Sequence, residues 1–287
     1  MRAVLAWVER NKTVSQVGTI AMLRATFMLC WGLSWLVVSQ GTLANEGSNI
    51  LEGVRHAEIT YGLNQSNLSL LRGVVIDTKL EPTMDFKLET DRAFVSLQNG
   101  LGLWLNHTPP FKSGVSINYM LGRHQSTDLH YQRLGDQSGS FDLYAFAEWQ
   151  PILEAVTFYG NVAQTPSPVA RQFAQAGVTL GLALVKPWNA FFDFNETWGN
   201  AVYWQSYYGV NSQQHVTSMK GFFMPTQGGA LYQSQSFGAV YSLNNAMDLI
   251  MGVGTLQASN ALMQSPVMGS RSQHTVMVML SHKLLDH

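Results

Sequence analysis

Cysteine, charge and long apolar runs are all scarce in this chain. Its one cysteine is Cys30, so no intrachain disulfide framework and no Cys-rich metal site is available. Charged residues are 12% of the 287, against roughly 25% in a typical soluble domain. With 46% apolar residues, that shortage excludes a disordered polyelectrolyte and a Glu/Lys-rich coiled coil. A net charge of −1 offers no basic footprint for nucleic acid. After residue 44 no run is long and apolar enough for a transmembrane helix.

One apolar run lies near the start. Residues 25–38 read ATFMLCWGLSWLVV, with Arg24 before them and Thr42-Leu43-Ala44 after. A positive flank, a short apolar core and a small-x-small ending predict a secretory signal peptide over residues 1–44. The rival, a membrane anchor, needs about 20 apolar residues. Met22-Leu23-Arg24 offers an alternative start with a shorter flank. Cys30 does not read as a lipid anchor, because Met28-Leu29 before it are not small. Residues 1–44 carry Arg2, Arg10, Lys12 and Arg24 against Glu9, which leaves 13 basic and 17 acidic residues, net −4, in 45–287.

The remainder alternates with period two. Val115, Ile117, Tyr119 and Leu121 form one set; Leu143, Ala145, Ala147 and Trp149 another. Val156/Phe158/Gly160, Val178/Leu180/Leu182/Leu184, Phe237/Ala239/Tyr241/Leu243, Met247/Leu249/Met251/Val253 and Val276/Val278/Leu280 repeat the rhythm. The intervening positions are often Gly, Ala, Ser or Thr. Turn signals separate the runs: Asn99-Gly100, Thr108-Pro109-Pro110, Gly135-Asp136, Gln150-Pro151, Lys186-Pro187 and Leu243-Asn244-Asn245. Lys79-Leu80-Glu81-Pro82-Thr83 and Thr165-Pro166-Ser167-Pro168 read as loops. At about 20 residues per strand and connection, 45–287 predicts one all-β domain, a transmembrane antiparallel β-barrel of about 12 strands, with 10 as the alternative. A soluble β-sandwich has the same alternation with its apolar face inward, but needs a more charged surface. Trp104, Trp149, Trp188, Trp198, Trp204, Tyr207 and Tyr208 fall at run ends, where an interfacial aromatic girdle is expected.

Several words resemble the MipA/OmpV family of outer-membrane proteins. Thr197-Trp198, Trp204 and the run Tyr207-Tyr208-Gly209-Val210-Asn211-Ser212-Gln213-Gln214 are similar to its central signature. Ser265-Pro266-Val267, Thr90-Asp91-Arg92-Ala93-Phe94 with Gly100-Leu101-Gly102, and Leu134-Gly135-Asp136 with Phe146-Ala147-Glu148-Trp149 agree in order and spacing. The likeness runs from about residue 57 to 283. Gln264 stands where the family has an acidic residue, and Ser281-His282-Lys283-Leu284-Leu285-Asp286-His287 lacks the family's terminal aromatic. The resemblance implies a non-enzymatic scaffold in peptidoglycan turnover. Its partners would be outer-membrane lipid, a lytic transglycosylase and a murein synthase. The signature reads as an aromatic girdle beside a tight strand turn, or as a partner contact.

Two other classes stay open. A small-solute channel or adhesin could use the same barrel. Lumen-facing charge would decide, and the candidates are Arg72, Asp85, Lys87, Arg92, Asp142, Glu148, Asp193 and Glu196. A lipid hydrolase could use His124-Gln125-Ser126 with Asp128 or Glu148, since residues two apart share a strand face; a solvated loop is the simpler account. The histidines His56, His107, His124, His130, His215, His274, His282 and His287 show no metal spacing. No cofactor motif is present. Met247, Met251, Met263, Met268, Met277 and Met279 read as lipid-facing or packing residues.

Overall fold

The computed structural model describes residues 54–67, 79–97, 99–120, 133–136, 138–153, 155–166 and 170–286. The expected signal segment, Cys30, Arg72 and the His124/Ser126/Asp128 group lie outside the described residues. Twelve strands follow in order. The first six are β1 (Val54–Asn67), β2 (Lys79–Thr90), β3 (Ala93–Ser96), β4 (Gly100–Asn106), β5 (Phe111–Met120) and β6 (Ser140–Ile152). The rest are β7 (Val156–Gln164), β8 (Gln172–Ala183), β9 (Trp188–Gly199), β10 (Gly229–Ser242), β11 (Met247–Ala258) and β12 (Ser272–Asp286).

Each strand pairs antiparallel with its sequence neighbours, and β1 also pairs with β12. The sheet therefore closes with an even strand number, as expected for an outer-membrane type of barrel. Among the described residues no helix is long and apolar enough to cross a membrane. The strands supply the crossing.

Side-chain direction separates the membrane barrel from a soluble one. Val115, Ile117, Tyr119, Leu143, Trp149, Phe158, Leu180, Leu182, Phe237, Val253, Val276 and Val278 are all exposed on the outside. The alternate positions Ser116, Asp142, Glu148, Thr157, Thr179, Ser236, Asp248 and Ser281 are buried inside. An apolar exterior around a polar interior inverts the soluble pattern and matches a barrel in lipid. At one end the outward positions turn polar, with Gln65, Gln164, Gln172, Gln235, Gln257 and His274.

The two ends differ. One carries short turns at 91–92, 107–110, 153–155, 184–187 and 243–246, together with the outer ends of β1 and β12. The other carries the longer connections 121–139, 200–228 and 259–271. These are called the turn end and the loop end.

Two expectations change. Lys79–Thr83 is not a loop but the start of β2, paired with Ser66 to Gly62 of β1. β3 reaches β2 only at Lys87–Glu89, so Pro82 lies beyond the end of β3, at an edge where its missing N–H costs no ladder bond. The girdle also shrinks. Trp149, Trp188 and Trp198 do face outward, Trp149 stacking on Phe158 and Trp188 packing edge-on against Tyr241. Trp104 points inward, because it shares the parity of buried Gly102. Trp204, Tyr207 and Tyr208 belong to a helix.

Val253 faces outward in mid-strand between Phe237 and Val276. Val253→Arg should destabilise the barrel by about 2–4 kcal/mol in lipid. Reversible urea unfolding in vesicles measures this, and a change near zero would contradict the assignment of that face to lipid.

Candidate functional site

A small structured cap packs into the loop end. Its main part is 200–228, which forms α1 (Ala201–Tyr208) and α2 (Ser212–Ser218). Local sequence starts both helices. Asn200 caps α1 by accepting from the Tyr203 N–H at 2.8 Å. The same side chain donates to the Ala170 carbonyl at 2.8 Å and accepts from Gln172 N–H at 3.2 Å, which ties the helix to the wall. Asn211 and Gln214 form a reciprocal capping box, both bonds 2.9 Å. Gln214 also donates to the Leu134 carbonyl at 2.6 Å, which joins residues 133–136 to the cap. The third connection adds a 3-10 turn, Leu262–Gln264. Ser265 after it donates to the Tyr208 carbonyl at 2.6 Å.

These pieces share one apolar cluster. Tyr203, Trp204, Tyr208, Val210, Leu231, Leu262, Val267 and Met268 are buried together with Leu134 and Ala258. Gly209 ends α1 at a close approach: an added Cβ would lie 2.4 Å from the Gln205 carbonyl oxygen. Val210 then makes an isolated antiparallel bridge with Phe223. The hydroxyls of Tyr208 and Tyr232 hydrogen-bond each other. Burial raises the Tyr203 phenol well above its usual value of 10.0, so it stays neutral.

Arg171 joins cap to wall. Only 6% exposed, it lies over the Tyr207 ring at 5.6 Å and donates to Ser140 and Thr165. Thr165 in turn donates to Asp142 at 2.7 Å. The charge is therefore matched through hydroxyls and stacked on an aromatic face, as a buried guanidinium requires.

Below the cap the described lumen side chains pack in two ways. Phe191, Val240, Ile250, Met277, Met279 and Tyr159 form an apolar block on the β7 and β9–β12 side. Beside it, Asp193 is fully buried and accepts from Tyr159 at 2.9 Å, Thr179 at 3.0 Å and Asn195 at 2.9 Å. Gln175 and Asn161 extend that network. Nearer the turn end, Glu58 accepts from Thr60 and Ser281, and Lys283 pairs with Asp248 at 3.0 Å. On the β2–β6 side Lys87 pairs with Glu89 at 3.0 Å. Phe94, Trp104 and Phe146 pack there with centroids 4.9–5.7 Å apart. A cavity of about 40 Å³ remains among them, with the Trp104 indole N–H and the Asn161 amide oxygen in its wall. That is room for a few waters.

The nine signature residues scatter less than their spacing in sequence implies. Trp204, Tyr208, Val210 and Val267 meet in the cap, with Tyr207 packed against them. Gly209 and Ser265 shape the backbone there, and Pro266 lies opposite Gly221. Trp198 does not join them; it faces outward on β9. A girdle beside a tight strand turn is thus replaced by two short helices tucked into the barrel mouth. Of the lumen candidates, Asp85, Lys87, Asp142, Glu148 and Asp193 point inward. Arg92 sits exposed in a turn, and Glu196 has outward parity beside Trp198. Sequence reasoning did not single out Asn200, Tyr203, Glu58, Arg171, Asp248 or Lys283. The Asn-x-x-Gln spacing of Asn211 and Gln214 was the signal that could have revealed the second helix. Among the described residues, no three His, Cys, Asp or Glu come together as a metal ion requires.

The family model described as MltA-interacting protein MipA matches residues 65–284. The chain belongs to that family. No curated protein matches it. Among solved structures it is similar to an outer-membrane channel from Pseudomonas putida F1, at 12% identity and TM-score 0.44, covering 84% of this chain and 100% of that one. It is also similar to the CymD monoaromatic hydrocarbon channel at 10% identity and TM-score 0.38, covering 81% and 90%. OmpT of Vibrio cholerae, an outer-membrane protein, matches at 9% identity and TM-score 0.35, covering 78% and 76%. This family member is an outer-membrane β-barrel, so its turn end faces the periplasm and its capped loop end faces outward.

At the turn end, His107 packs on Trp104 with ring centroids 4.5 Å apart. Burial lowers its pKa below 6.5, with Glu89 opposing. Above pH 6.5 the ring is neutral in both folded and unfolded chains. As pH falls below 6.5 the unfolded chain takes the proton first, and the fold loses stability. NMR titration should place the His107 midpoint below 6.5, and a midpoint above it contradicts the packing.

Trp204→Ala should open the cap, at a cost of about 3–5 kcal/mol. Limited proteolysis should then cut within 200–228 while the barrel keeps its folded gel mobility. Protection equal to wild type would contradict the cap's dependence on this side chain.

Proposed function

We propose that this barrel is a rigid scaffold that holds a lytic transglycosylase, together with a murein synthase, at the periplasmic face of the outer membrane. The observation that carries this reading is the filled lumen under a packed cap. A barrel whose interior is occupied by its own side chains works through its rim. The family's name, MltA-interacting protein, supports an interaction with MltA. Among the described residues, the void between Phe94, Trp104 and Phe146 holds only about 40 Å³, which supports a packed interior over an open channel.

On this reading residues 1–44 direct export and are removed, leaving 45–287 in the membrane. The signature residues keep the cap shut at the outer end. They stand at the opposite end of the barrel from the periplasm, so the partner contact falls to the turns. Two turn residues there are apolar and open, Leu153 at 60% and Val185 at 86% exposure. Exposed apolar side chains of this kind gain about 25 cal/mol per Å² when a partner covers them.

The test is capture of lytic transglycosylase by the folded barrel in detergent. The double variant Leu153→Asp/Val185→Asp should weaken capture about tenfold or more, the equivalent of roughly 1.4 kcal/mol. Trp204→Ala should leave capture unchanged. Absence of capture by the wild-type barrel, or loss with Trp204→Ala alone, contradicts the scaffold reading.

A further inference from the structure

We infer that the outer wall carries a binding groove for one acyl chain of a membrane lipid whose polar group lies in the outer leaflet. This rests on the outer-membrane placement and is independent of the scaffold reading.

The groove runs across six strands, from β4 to β9, with a volume of about 980 Å³. Strand register identifies its walls. One is the row that passes from Leu101 through Ile117 and Leu143 to Gln164 and Gln172. The other passes from Leu103 through Val115, Ala145, Val162 and Ala174 to Trp198. Both rows have outward parity. The inward residues between them, such as Gly102 and Ser116, contribute backbone as the floor. The groove is therefore on the lipid face and not in the lumen.

Its chemistry changes along its length. The β4–β6 stretch is lined by Leu, Ile and Val. Ala145 and Ala174 lower the wall, where a longer side chain would fill the channel. The far end reaches Gln164 and Gln172 at the polar limit of the lipid band. There Gln172 donates its amide N–H to the Gln164 amide oxygen at 3.1 Å. Among the described residues, the Gln164 amide nitrogen and the Gln172 amide oxygen are left to donate to and accept from an ester or amide linkage. Five inter-strand steps of about 4.8 Å make the groove about 24 Å long. An apolar channel inclined to the membrane, ending in two neutral amides at the interface, complements an acyl chain with its linkage group. Its two walls are two residues apart on each strand, about 7 Å, narrower than a protein helix, which is 10–12 Å wide with its side chains.

The experiment places the folded full-length mature barrel in phosphatidylethanolamine/phosphatidylglycerol vesicles containing a phospholipid with a diazirine in its acyl chain. After irradiation, labelled peptides are mapped by mass spectrometry. Labelling should concentrate several-fold on residues 143–145, 162–164 and 172–174 over the opposite wall around Val253 and Val276. Ala145→Trp and Ala174→Trp face lipid and leave the interior untouched; folded gel mobility checks each. Either should abolish the excess at the groove while labelling of the opposite wall persists. Even labelling around the barrel, or an excess that survives both substitutions in folded protein, overturns the inference. Cross-linked dimers through this face would overturn it too, by assigning the groove to a second copy.

Discussion

Everything in this molecule depends on the absence of water around its middle. In hydrocarbon each backbone N–H and C=O must find a partner within the protein, and an open sheet cannot provide one at its edges. Pairing β1 with β12 removes the edges. Once the sheet is closed, side chains have only two directions. The apolar set must face lipid, and the polar set must face inward whatever the cost of burying it. The low overall charge follows from the same constraint, because only the turns, the loops and a crowded lumen remain for charged groups.

The interior shows how that cost is met. Asp193 is held by three donors, and Arg171 by two hydroxyls and an aromatic face. Lys87 and Lys283 each have a carboxylate at 3.0 Å. Apolar residues from β9–β12 fill the remaining width. The cap continues the same logic at the mouth. It seals by packing, with Trp204, Tyr208, Val210 and Val267 together, and by capping bonds that anchor two short helices to the wall. The signature of this chain is therefore mostly part of the cap. Its aromatic residues are interior ones, and Trp198 alone among its tryptophans meets lipid.

Much of this was legible in sequence. Period-two alternation gave strand positions and the outward face, because a one-residue slip would place Val115 and Ile117 in the lumen. Chain length gave about 12 strands with 10 as the alternative, and the barrel has 12. The misreadings share a cause: local chemistry was overruled by position in the closed sheet. Pro82 suggested a loop, yet it sits in β2 beyond the reach of β3. Trp104 at a run end suggested a girdle, yet parity turned it inward. Tyr207-Tyr208-Gly209-Val210 suggested a turn, yet capping by Asn200 and Asn211 made helices. Arg171 and Asp193 could not be paired from sequence at all, since Ser140, Tyr207, Tyr159 and Thr179 reach them from other elements of the fold.

The central claim is that this outer-membrane barrel is closed from within and works through its surfaces. Planar-bilayer recording of the folded wild-type barrel tests that most directly. The account predicts a flat trace, with no discrete conductance steps after insertion is verified by labelling. Reproducible steps from the wild-type protein would mean that the packed interior and cap do not seal the lumen, and the barrel would then have to be read as a channel.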